Sequence, residues 1–281
     1  MNVDDPRLAV PNAAEDKALR ARASIVILAF VVIAGFLSRQ VLVAGMPGPL
    51  LAAGVLAGAF FVAWRVGVLG RAFAMLMLGS IRARGLEATQ KLNAGDIAGA
   101  RVLFEALTTD ARRLGGFHSV HVLMLGVVSF FEGDTKAGLV LASRAIASGW
   151  FSARETREVL HAAETWRVLM LLHAGELKQA RVIVERAPKA VPTAELVLLA
   201  YEEKWTEAVT RATELLAQED FPGQGRPTVA LIGLYAAKRL SNTSAGEPAG
   251  ALDTAGFEKV LTAEPPQALA LQNPALRRFL A

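Results

Sequence analysis

The chain has 281 residues, 53% of them hydrophobic and 20% charged, with a formal net charge of +4 and a mean hydropathy of +0.37. An apolar content this high excludes a disordered chain and argues against a wholly soluble one. The absence of cysteine excludes disulfide frameworks, cysteine–zinc sites and cysteine nucleophiles.

Residues 1–22 form a polar tail in which Arg7, Lys17, Arg20 and Arg22 balance Asp4, Asp5, Glu15 and Asp16. Residues 23–79 carry Arg39, Arg65 and Arg71 and no acid or lysine. Residues 80–281 are close to neutral. A nucleic-acid binder gathers its basic residues on one folded face. Here the excess lies in the apolar region, so no nucleic-acid partner is expected.

Residues 23–79 read as a membrane hairpin. Two apolar runs, about 23–44 and 50–69, flank Met46-Pro47-Gly48-Pro49, whose prolines and glycine break a helix and suit a tight turn. A helical span needs roughly 20 apolar residues. Each run reaches that length with its arginine at an interface, where the long side chain snorkels. The apolar stretch 71–79 follows as an interfacial segment. A cleaved signal peptide is the competing reading of the first run, but the mixed-charge tail before it and the second run behind it count against that. Lys17, Arg20, Arg22, Arg65, Arg71, Arg82 and Arg84 flank the inner ends, against Arg39 alone near the outer turn. The positive-inside rule then places both termini and the following domain in the cytoplasm. The spans hold no Asp, Glu or His for a proton relay, so the hairpin reads as an anchor.

Residues 80–281 read as helix after helix, with apolar positions at three- and four-residue intervals, little strand signal and a Ser/Gly/Pro-containing loop at 241–250. A turn recurs: Gly95-Asp96-Ile97-Ala98-Gly99-Ala100, then Gly133-Asp134 through Gly138, then Gly175-Glu176 through Ala180, with a weaker fourth copy from Glu203 to Ala208. Glycine ends one helix in a left-handed conformation. The acid favours the next N-terminus. The small residue five positions on lets the two helices approach closely. The turns are spaced by 38, 42 and 28 residues.

These turns resemble the tetratricopeptide repeat superfamily, in which a G-[DN]-x-x-x-A turn joins helix A to helix B. Leu125-Gly126 falls at the family's Leu-Gly pair, Phe104 and Phe257 at the helix B aromatic, and Pro265 at the closing proline. The resemblance implies an all-α fold, with an N-terminal transmembrane hairpin followed by a tetratricopeptide-like α-solenoid of helix pairs. It also implies a concave face built from A helices, where a protein partner lies. Carried onto this chain, the inward positions include Asn93, Leu123, Val127, Phe130, Leu169, His173, Val197 and Tyr201. The set is mostly apolar and lacks the family's carboxylate clamp. It suits either a partner's hydrophobic segment or packing against neighbouring helices.

Sites for chemistry are sparse. His118 and His121, three apart on one helix, lack a third ligand at a metal-binding spacing. His161 and His173, twelve apart, cannot share an ion. The sequence has no phosphate-binding glycine loop and no GxSxG elbow. Glu155, Glu158 and Glu164, alternating with Arg154, Arg157 and Arg167, read as a solvated helix face. No catalytic residue, metal or cofactor is expected. The resemblance implies a non-catalytic protein-interaction scaffold or adaptor at a bacterial inner membrane, integral through two spans, as a complex subunit or homo-oligomer. An auxiliary subunit of a membrane-associated enzyme pathway, such as tetrapyrrole synthesis, or a structural subunit of an envelope complex is the alternative. The layout is also similar to a bacterial inner-membrane family associated with haem biosynthesis.

Overall fold

The computed structural model describes residues 3–18, 21, 78–112, 114–152, 156–219, 221, 225–243, 254–264 and 271–279. Among these residues the chain is all-helical, without strands. The expected spans 23–44 and 50–69 lie outside the described residues. Among the described residues no helix is long and apolar enough to cross a membrane.

The helices are α1 (Leu78–Asn93), α2 (Ile97–Asp110), α3 (Gly115–Phe131), α4 (Thr135–Ala147), α5 (Arg157–His173), α6 (Leu177–Arg186), α7 (Pro192–Tyr201), α8 (Trp205–Ala217), α9 (Arg226–Thr243) and α10 (Thr254–Ala263). Each packs on the next in chain order, and α5 also touches α3 and α7, while α7 touches α9. Successive pairs with one set of helices in mutual contact are compatible with an α-solenoid.

The four turns share one hydrogen-bond pattern. Asp96, Asp134, Glu176 and Lys204 each donate a backbone N–H to the carbonyl five residues back, on Lys91, Ser129, Leu171 and Leu199, at 2.9–3.0 Å. This six-to-one bond closes a helix whose next-to-last turn residue is left-handed. Gly95, Gly133 and Gly175 have φ of 83°, 93° and 83°, and Glu203 takes the same region at 59°. The acid after glycine acts as a side-chain N-cap as well as a dipole partner. Asp96 accepts from Gly99 N at 2.9 Å and Asp134 from Ala137 N at 3.0 Å. The longer Glu176 and the cationic Lys204 make no such cap.

Five residues past each turn's start, Ala100, Gly138, Ala180 and Ala208 are buried where the paired helices cross. α3 and α4 approach closely at Gly126 and Gly138, where a Cβ on Gly138 would stand 2.8 Å from the Gly126 carbonyl oxygen. Phe104 of α2 and Phe257 of α10 are buried. Neighbouring pairs interlock through Phe131 on Trp166 and Trp205 on Tyr235, with ring centroids 5.7 and 5.8 Å apart and edge-to-face geometry. Arg101 of α2 pairs with Glu132 behind α3, and Arg181 of α6 pairs with Glu202 behind α7.

The loop expected at 241–250 begins later. Ser241, Asn242 and Thr243 continue α9, and Ser241 Oγ donates to Ala237 O at 2.9 Å, which satisfies the hydroxyl inside the helix. Residues 244–250 lie outside the described residues.

The polar tail is docked where it is described. Leu8 is buried, Arg144 Nη1 donates to Val3 O and Leu8 O, Trp150 Nε1 donates to Pro11 O, and Ala13 N donates to Ser148 O. Residues 3–13 therefore lie against α2, α3 and the end of α4.

Candidate functional site

The inward positions expected on the A helices divide in two. Leu123, Val127, Phe130, Leu169 and Val197 are core residues, enclosed between neighbouring helices. Asn93 and Tyr201 are half-buried and His173 is exposed. Of the two readings left for this set, a groove or packing between helices, the five apolar positions follow packing, because adjacent A helices press together over them. Phe130 meets the His173 ring edge-on, with centroids 5.6 Å apart.

A segment from far along the chain lies on this face. Residues 271–279 run from the turn after α1 to α9. The Gln272 side chain sits against Gly95, whose added Cβ would meet its amide nitrogen at 2.6 Å. Tyr201 Oη donates to Ala275 O at 2.8 Å. Phe279 packs edge-on against both Tyr201 and Tyr235, at 5.7 and 5.1 Å, and the Arg278 guanidinium stands 4.5 Å over the Tyr201 ring. Asn273, Ala275, Leu276 and Phe279 are all buried. Fully extended, seven residues reach about 25 Å. This stretch is folded into turns, so the first helix pair and the last inner helix both reach one short segment. Burial pushes the Tyr201 phenol up, partly opposed by Arg278.

Beside Phe279 is a cavity of about 350 Å³ lined by Leu231, Leu234, Tyr235, Lys238, Arg239 and Asn242. It is apolar on one side and cationic on the other. A second, wholly apolar hollow of about 220 Å³ lies at the start of α3, between Phe117, Val120, Trp150 and Val159.

No family model, curated protein or solved structure matches the chain at a significant level.

His118 of α3 serves the docked tail. The ring nitrogens of His118 lie 3.0 Å from Thr108 O and 3.1 Å from Ala9 O. A neutral imidazole donates to one of these oxygens, and an imidazolium donates to both. Burial pushes the His118 pKa down, and the two carbonyls oppose that. His121 lies beside Phe104 and Gly85, and burial, His118 and Arg84 together lower its pKa to about 4. With both nitrogens of His118 facing carbonyls, this pair is spent on packing and docking. Among the described residues no group of three or more His, Asp or Glu gathers to hold a metal ion.

Sequence reasoning missed residues 3–18 and 271–279. The buried Asn273, Leu276 and Phe279 are three apart, but the run is too short and too polar between them to stand out as a helix. The Asn-Pro pair at 273–274, a turn signal, marked only that the chain turns there.

Proposed function

We propose that the chain is a membrane-anchored, tetratricopeptide-like protein-interaction scaffold, non-catalytic, with its helical stack in the cytoplasm at a bacterial inner membrane. The observation that carries this reading is the inner face itself. It holds an irregular protein segment by side-chain contacts to Tyr201, Tyr235 and Gly95, which is how a groove receives a peptide. The four turns of common hydrogen-bonding support a tetratricopeptide-like repeat.

The anchor rests on 57 residues, 23–79, without an acid or lysine. Described residues on both sides of 22–77 belong to one packed body, which favours an even number of crossings. Two spans satisfy that topology. Tethering raises the effective concentration of any partner held at the same membrane.

The test is a pull-down of the full chain from mild-detergent membranes, compared with a variant carrying Asn93→Glu and His173→Glu on the accessible inner positions. A stoichiometric protein retained by the natural chain and lost from the variant is the expected result. A natural chain that retains no protein contradicts the scaffold.

A further inference from the structure

We propose that residues 271–279 are an intramolecular ligand of the inner face, and that the face's partner is a protein segment of the same chemistry which displaces them. That chemistry is a tight turn followed by an arginine and an aromatic anchor. The proposal rests on the scaffold reading above.

The segment is built as a self-contained module. Asn273 Oδ1 accepts from Ala275 N at 3.0 Å, Asn273 O accepts from Leu276 N and Arg277 N, and Leu276 O accepts from Phe279 N. Its backbone bonds are thus largely closed within itself, as in an Asx-turn running into a 3-10 turn. Such a unit can leave a surface without exposing a broken ladder. Among the described residues, its side-chain hydrogen bond from the helices comes from Tyr201 Oη. The rest of its attachment is the burial of Ala275, Leu276 and Phe279 and the stacking of Arg278 on Tyr201. An aromatic anchor and an arginine are also the residue types that dominate binding at protein interfaces.

The position of the segment matters as much as its construction. It covers Tyr201, the inward residue of α7, and reaches Gly95 at the far end of the stack. A partner segment using this face must replace it. Beyond Phe279, the cavity beside Lys238 and Arg239 extends the same track and suits an acidic side chain following the partner's anchor.

The test uses the full chain in mild detergent and a fluorescent peptide of the sequence Leu271 to Ala281. Two variants loosen the resident segment: Phe279→Ala removes its anchor, and Asn273→Ala removes the Oδ1 bond that closes its turn. Helical content and melting are checked by circular dichroism. The expected result is that both variants stay folded and bind the peptide at least tenfold more tightly than the natural chain. A peptide carrying Phe279→Ala is expected not to bind. Folded variants that take up no peptide would overturn the proposal. So would loss of the folded state in both, since the segment is then a fixed part of the fold. The membrane pull-down reads the scaffold separately. A chain that exchanges the peptide but retains no cellular protein keeps the intramolecular ligand and loses the scaffold.

Discussion

The carbonyl oxygen of Gly126 occupies the space that a side chain on Gly138 would need, 2.8 Å from where its Cβ would stand. Alanine at 138 gains roughly 1 kcal/mol of helix propensity over glycine. It also forces two backbones apart in a filled core, which costs about 1–3 kcal/mol. The clash wins, because the obstructing atom is main chain and cannot rotate away. Gly138→Ala is expected to lower stability by about 1 kcal/mol in denaturant titration, with the same slope. An unchanged midpoint would show that α3 and α4 do not cross there.

Glu203 is the fourth turn's departure from glycine, and it is held at φ 59°. A side chain in that region costs roughly 1–2 kcal/mol, whereas glycine there gives back at most about 1 kcal/mol of unfolded-state entropy. Glu203→Gly is expected to stabilise the protein by about 0.5–1 kcal/mol. Gly133→Ala, with open space around it but φ 93°, is expected to destabilise it by about 1 kcal/mol through the backbone alone. Thermal melts of the two variants moving in the same direction would contradict this.

The first three turns were legible because glycine, an acid and a small residue each do a separate physical job at a fixed offset. Glu203 was legible only by spacing, since it performs glycine's role without glycine's freedom. The inner face was half legible. Leu123, Val127 and Phe130 are apolar whether they line a groove or fill a core, and their burial depends on how closely neighbouring A helices pack. The docked tail left no pattern, because it is held largely through the carbonyls of Val3, Leu8, Ala9 and Pro11, which every residue possesses.

His121 gives the stack an acid limit. The unfolded chain takes up this proton near pH 6.5, and the folded chain takes it up only near 4. Between those values the unfolded state holds more protons, so stability is lost as pH falls through the window. The loss approaches about 3 kcal/mol once pH is below 4. His121→Gln is expected to flatten the fall between pH 6.5 and 4 in melts across that range. A variant with the natural pH dependence would show that His121 is not the group responsible.

Residues 3–18 are expected to behave as a docked element. Leu8 is buried against the helices, and truncating a buried leucine costs about 2 kcal/mol or more. Leu8→Ala is expected to raise hydrogen exchange across residues 3–18 at least tenfold while leaving α7 and α8 protected. Rapid exchange of this segment in the natural chain would mean that it does not hold the start of the apolar region to the stack.

The most direct measurement of the central claim is site-specific photocrosslinking in intact membranes. One photoreactive side chain is placed at position 173, exposed on the inner face, and another at position 182, where Val182 is 63% exposed on the helix α6. The scaffold reading predicts one discrete adduct with a second protein from position 173 and no such adduct from position 182. The same adduct from both positions, or none from 173, would contradict it.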